Sequence, residues 1–301
     1  IAFKVLKGHP FSIVCTPDAL VGKEGLMRSL GCIPTRKFVS DISLISDMDH
    51  ALNVNKASVL MYPEAGYSLD GTGTRIPRRL GVLLKKLKHP VVMITTYGAF
   101  TRDPLYNNLQ KREVKVSCTM KCLFTPEELA NTKVRQIDEI LDKEFTLDYF
   151  KWQQDNNIEI DEPFRADGLN RILYKCPHCL KEGMTEGKGI NLTCRGCGAS
   201  YELDTLGRLK GINVTPKFTH IPDWFRWERE QIKELGSDVT KSSHGNIYTL
   251  TIIGQVEGHM IAPETVLTIP LFFIFSTSLR MVISVTSKYW ERSLKEIPPW
   301  L

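Results

Sequence analysis

Four cysteines carry the sharpest chemical pattern in this sequence. Cys176 and Cys179 form CPHC, and after an interval of fourteen residues Cys194 and Cys197 form CRGC. Two thiolates separated by two residues can grip one ion from a tight turn. Gly196 and Gly198 ease the second turn, so the two knuckles together predict a tetrahedral site for one structural zinc. His178 lies inside the first knuckle, where a ligand role would distort the turn, and is read as solvated. The remaining cysteines, Cys15, Cys32, Cys118 and Cys122, are read as small buried hydrophobes. A second pattern is MYPEAGYSLDGTGTR, residues 61–75. An apolar run, Val59-Leu60-Met61, stops at Tyr62-Pro63-Glu64, and small polar residues and glycines follow as far as Arg75. A carboxylate and a glycine-rich turn at the mouth of a strand offer charge and approachable backbone N–H groups to a ligand.

These residues need elements to hold them. ASVLMY reads as a buried strand, PRRLGVLLKKLKH as a helix with Leu80, Leu83, Leu84 and Leu87 on one face, and PVVMITTYG as the next strand. That is a βαβ unit, and its first loop carries Glu64 at the carboxyl end of a strand, where open α/β sheets place ligands. TPEELANTKVRQIDEILDKEF reads as a helix capped by Thr125 with Glu128 completing a capping box, burying Ile137, Ile140, Leu141 and Phe145. The predicted class is α/β, a sheet flanked by helices over residues 1–154. A polar, turn-rich linker follows at 155–171, then a small zinc ribbon at 172–210 and a β-rich carboxyl region at 211–301. No internal repeat is present.

The chain has 301 residues, enough for about two domains. Hydrophobic residues make up 42% and charged residues 24%, which excludes wholesale disorder. A net charge of +5 suits anionic partners but does not choose among phosphates, acidic lipid and nucleic acid.

SLGCIPTRKF (29–38), YPEAGYS (62–68) and HPVVMI (89–94) resemble, in order and spacing, the second, third and fourth blocks of the glycerolipid acyltransferase family, which includes the lysophosphatidic acid acyltransferases. The resemblance covers roughly the first 150 residues. It implies that Arg36 binds the acceptor's phosphate and that Glu64 and Gly66 shape the glycerol-phosphate site. A guanidinium offers a bidentate fork to a phosphate, and small residues let backbone N–H groups approach its oxygens, so the physics agrees. Ala65 is inserted where the family has Pro-Glu-Gly, and Met93 stands where a second proline is common. The implied reaction moves an acyl group from acyl-CoA or acyl-carrier protein to the hydroxyl of a lysophospholipid. The implied location is cytoplasmic, peripheral on the inner face of a membrane.

The family's first block is a His-x-x-x-x-Asp whose histidine deprotonates the acceptor hydroxyl and whose aspartate orients the imidazole. None of the seven histidines here has an aspartate five positions on. His259 has Glu264 there, after the cysteines and in the wrong order. The sequence begins with Ile1, and the expectation is that this block lies upstream in a longer protein, leaving the chain as given without its base.

Other stretches divide between two readings. Arg75, Arg78, Arg79, Lys85, Lys86 and Lys88 either steer acyl-CoA or acidic phospholipid, or form the solvated face of a helix. Trp224, Phe225 and Trp227 are read as core rather than membrane interface. TVLTIPLFFIFSTSLRMVISVTS spans a bilayer's length, but Pro270, Arg280 and many β-branched residues favour two or three strands. A rival class is a zinc-ribbon module that binds nucleic acid or a protein. Nucleic acid is disfavoured because the cysteine segments lack an interleaved aromatic and basic stripe.

Overall fold

The computed structural model describes residues 6–16, 21–35, 42–64, 66–241 and 280–284. Three parallel strands form one half of a mixed sheet: β1 (Phe11–Cys15) lies between β2 (Cys32–Pro34) and β3 (Ser58–Met61). On the far side stand β4 (Val91–Tyr97) and, antiparallel to it, β5 (Ser117–Phe124). Between the halves runs β10 (Arg280–Ser284), antiparallel to both neighbours, with Val282 opposite Met61 on one side and Met93 on the other. The six-stranded order is therefore β2-β1-β3-β10-β4-β5. β3 and β4 run parallel as the predicted βαβ unit requires, but a strand from the far end of the chain separates them.

The alternating side chains of these strands feed two faces. Val59, Met61, Val91 and Met93 meet Met48 and Leu52 of α2 (Ile42–Asn53), Leu84 and Leu87 of α3 (Leu80–Leu87), and Ile137 and Leu141 of α6 (Val134–Glu144). Leu60, Val92 and Ile94 turn the other way, onto Leu6. The helix expected over 125–145 is two: α5 (Pro126–Asn131) carries the capping box of Thr125 and Glu128, and the chain then breaks at Thr132 before α6. Thr132 is extended and its hydroxyl donates to Glu128 O, a local bond that competes with helix continuation. Ile140 lies 38% exposed rather than buried, because α6 turns Ile137 and Leu141 inward and not Ile140.

A second core joins the first sheet's periphery to the cysteines. Phe100, Tyr106, Tyr149 and Phe150 pack with Leu192, Tyr201, Leu203 and Leu209 of a four-stranded antiparallel sheet, β6 (Thr185–Lys188), β7 (Asn191–Cys194), β8 (Ser200–Leu203) and β9 (Leu209–Gly211). The stretch expected as a linker at 155–171 belongs to this core. Ile160, Ala166 and Leu169 are buried, and the buried Arg165 donates to Leu203 O at 2.7 Å. Its polar residues look like a linker because their partners are backbone carbonyls, which sequence does not reveal. The carboxyl region expected to be β-rich at 211–301 holds a helix, α8 (Ile221–Lys241), and its strand β10 joins the first sheet. The rest of 242–301 lies outside the described residues. Among the described residues, no helix is long and apolar enough to cross a membrane.

Candidate functional site

β3 ends at Met61, and the turn that follows delivers Glu64 at the carboxyl edge of the parallel strands. Glu64 Oε1 accepts the backbone N–H of Thr74 at 2.8 Å, which closes the segment between them into a loop. That loop is tied down, not free. Asp70 accepts from Thr72 N at 3.1 Å and from Thr72 Oγ1 at 2.8 Å, while Ser68 Oγ donates to Thr72 O at 2.7 Å. Its outer limb is stitched to the segment before α7 (Tyr149–Asp155): Gly73 N donates to Leu147 O and Tyr149 N to Gly71 O. Gly71 has φ +82° and a Cβ there would stand 2.8 Å from Phe100 Cε1, so glycine is required by both backbone and space. Gly66 differs: among the described residues a Cβ would meet nothing closer than Glu64 O at 3.7 Å, so none of them requires its small size.

Arg36 lies outside the described residues; β2 ends two residues before it, at Pro34. Of the basic cluster, Arg75, Arg78, Arg79, Lys86 and Lys88 are exposed. Lys85 is not part of a free cationic surface, because its ammonium donates to Ala130 O at 3.0 Å and Thr132 O at 2.7 Å, bracing the break between α5 and α6. Cys15, Cys32, Cys118 and Cys122 are half-buried. Burial raises the thiol pKa of Cys15 to about 12, with Cys32 adding to the shift.

The four clustered cysteines meet as the spacing predicts. Their sulfurs all lie within 4.8 Å of one another, with Cys176 to Cys197 and Cys179 to Cys194 both at 3.7 Å, so the cluster could hold a metal ion. The two knuckles share one backbone pattern. Leu180 N donates to Cys176 O and Gly198 N to Cys194 O, while Cys176 N and Cys194 N donate to Lys181 O and Ala199 O. The fifth residue of each turn adopts positive φ: Gly198 at 78° and Leu180 at 59°. The Lys181 N–H draws the Cys179 thiol down to about 7, whereas burial pushes Cys176 up to about 12. His178 stays out of the sulfur cluster. Its ring packs on Tyr201 and its Nε2 is buried with no hydrogen-bond partner among the described residues, which corrects the solvated reading.

α8 fastens this cluster from behind. Trp224 and Glu228, one turn apart and fully buried, converge on the residue before the first knuckle: Glu228 Oε1 accepts from Lys175 N at 2.8 Å, and Trp224 Nε1 donates to Lys175 O at 3.0 Å. Burial pushes the Glu228 carboxyl up to about 9. Phe225 and Trp227 pack partly buried against the same core, as expected for core aromatics.

Where α8 begins, His220 Nε2 meets Asp148 Oδ2 at 2.7 Å. Asp148 is the N-cap of α7, its other oxygen accepting from Lys151 N at 2.9 Å. Burial raises the Asp148 carboxyl, but the hydrogen bonds from His220 and the Lys151 N–H outweigh it and hold the group below its ordinary value. The same aspartate forms an isolated antiparallel bridge with Thr72, on the loop that Glu64 closes.

Comparison of the chain with protein-family models, with curated proteins and with solved structures found no match.

Sequence reasoning brought the four cysteines together and put Glu64 at a strand's mouth. It missed Glu228, Asp148 and His220. Seventy-two residues separate the last pair, so no local spacing signals it. The one available hint was Asp148 as an N-cap ahead of an aromatic helix.

Proposed function

We propose that the chain is the acyltransferase part of a membrane-surface enzyme of glycerolipid synthesis. It moves a fatty acyl group from acyl-CoA or acyl-carrier protein to the hydroxyl of a lysophospholipid such as lysophosphatidic acid. The observation that carries this reading is Glu64. A carboxylate at the carboxyl end of a parallel strand, fixed by the Thr74 N–H, stands near a glycine whose small size none of the described residues demands. Arg36 supplies the guanidinium for the acceptor phosphate, Glu64 shapes the glycerol site, and the backbone at Gly66 stays open to phosphate oxygens. The exposed Arg75, Arg78 and Arg79, on the segment between Thr74 and α3, favour anionic lipid.

The cysteine module is a zinc ribbon whose ion is structural. Tetrahedral coordination with Zn–S near 2.3 Å places sulfurs about 3.8 Å apart, and the Cys176–Cys197 and Cys179–Cys194 sulfurs lie 3.7 Å apart. All four positions are protein thiols, which leaves no open coordination site for chemistry. When bound, the ion neutralises crowded thiolates; Cys176, Cys179, Cys194 and Cys197 hold it, and Glu228 and Trp224 fix the backbone from which the first pair projects.

The acceptor site is tested by comparing lysophosphatidate with lysophosphatidylcholine as acceptor for the wild type and Arg36→Ala, in the longest form of the protein. Loss of one charge-assisted contact should weaken lysophosphatidate use by roughly 2–3 kcal/mol and spare the acyl donor. Unchanged acceptor constants would remove Arg36 from the site, and retention of nucleic acid in place of lipid would favour the binding-module class.

A further inference from the structure

The first forty residues hold six lysines and arginines against two carboxylates, Asp18 and Glu24, so four of the chain's five net positive charges lie in this stretch. The same stretch leaves large apolar side chains in water. We propose that this basic, apolar surface, centred on the helix between β1 and β2, docks the protein on an anionic phospholipid bilayer. The inference rests on the membrane-surface reading above for its purpose; the binding itself is measured without any acyl transfer.

α1 (Glu24–Ser29) is the short crossover that links β1 to β2, the outer strand of the sheet among the described residues. Its six residues rise about 9 Å, and not one of them is buried. Leu26 and Leu30, one turn apart and so on one face, are 60% and 66% exposed, and Val21, just ahead of the helix, is 75% exposed. Of the ten large hydrophobic side chains exposed among the described residues, three fall within these ten positions, which makes a patch and not a scatter. The side chains of Lys7, Lys23 and Arg28 are exposed beside them. None of the three, not even Arg28 one turn after Glu24, has an acidic partner among the described residues.

Charge selects the occupant of this face. A second copy of the chain would set one basic patch against another, which like charge opposes. An anionic bilayer matches both features: its phosphates attract the unpaired cations, and its acyl boundary takes the aliphatic side chains while the long cationic stems reach back to the headgroups. Strand order then links the contact to the candidate acceptor site. β1 pairs in parallel with β2 and with β3, so Cys15, Pro34 and Met61 end at one edge, and from that edge the chain leaves toward α1, Arg36 and Glu64 respectively. Docking through α1 brings a bilayer alongside the strands whose ends lead to the proposed acceptor residues.

The test is co-sedimentation of the zinc-loaded full chain with vesicles of phosphatidylcholine alone or mixed with phosphatidylglycerol, at low and high salt. The wild type should bind the mixed vesicles at least about tenfold more tightly than the neutral ones, and salt should weaken that binding. Lys23→Gln and Arg28→Gln should each cost roughly fivefold, the worth of one cation at an anionic surface. Leu26→Ser combined with Leu30→Ser should cost about tenfold. Both leucines are exposed, so the melting temperature should hold, and lost binding is then not lost folding. Binding that these variants leave intact, or that Arg78→Gln with Arg79→Gln abolishes in their place, overturns the docking face. So does equal binding to neutral vesicles, a dimer that the leucine variants dissociate, or retention on purified acyl-carrier protein in place of vesicles. Vesicle binding that depends on α1, with no acyl transfer by the longest form of the protein, keeps this inference and removes the acyltransferase reading.

Discussion

Glu228 Oε1 receives the backbone N–H of Lys175, the residue immediately before Cys176, at 2.8 Å. A helix that begins beyond the four-stranded sheet therefore grips the root of the first cysteine knuckle. Trp224 closes the clamp by donating to the carbonyl of the same residue and, at 3.1 Å, to Glu228 itself. The cost is a carboxyl with no exposed surface whose second oxygen has no hydrogen-bond partner among the described residues.

That carboxyl gives the fold a pH dependence. Its folded pKa is near 9 against an ordinary 4.5, so its proton is favoured in the fold. The contribution is complete below the ordinary value and declines as pH rises toward 9. Each pH unit in that window removes up to about 1.4 kcal/mol. Thermal melts of wild type and Glu228→Gln between pH 6 and 9, with zinc bound throughout, should show the variant gaining on the wild type as pH rises. Parallel melting curves would contradict a buried neutral carboxyl.

Zinc should be inseparable from the second core. Cys194→Ser should lose the ion and at least roughly 5 kcal/mol of stability, since binding energy at a structural site is folding energy. Metal analysis and hydrogen exchange over residues 172–210 check this. Equal zinc in wild type and variant would refute the four-cysteine site.

The knuckles predict a stabilising substitution. Leu180 occupies the left-handed position that Gly198 fills in the second turn, and its side chain is exposed. Leu180→Gly should gain up to about 1 kcal/mol by relieving backbone strain, with zinc content unchanged. A lower melting temperature would mean that the leucine contributes packing that outweighs its strain.

Gly71→Ala should do the opposite. Positive φ and a 2.8 Å approach to Phe100 make its cost roughly 2–3 kcal/mol, read by denaturant unfolding. Gly66→Ala should leave stability within about 0.5 kcal/mol, because the chain leaves room there.

The contrast between those glycines shows what sequence could and could not reveal. Local periodicity and turn chemistry exposed β3, α3 and β4, the capping box at Thr125, and the cysteine knuckles, because each is specified within a few residues. The loop after β3 reads from its composition as a glycine-rich turn open to a ligand. Its glycines serve different ends, and the left-handed backbone of Gly71 with the ring of Phe100 against it tells them apart. β10 was hidden for another reason: a short strand slotted between β3 and β4 is chosen by its neighbours, about two hundred residues away, not by its own pattern. The linker at 155–171 was misread because Arg165 and Asn107 satisfy buried carbonyls that have no sequence signature.

The most direct measurement is product analysis by mass spectrometry after incubating the longest form of the protein, purified and zinc-loaded, with palmitoyl-CoA and lysophosphatidate on anionic vesicles. The account predicts palmitoyl phosphatidate and free CoA in equal amounts, dependent on lysophosphatidate and reduced by Arg36→Ala. Intact palmitoyl-CoA with no phosphatidate formed, in a sample whose zinc and melting transition are those of the folded protein, would contradict it.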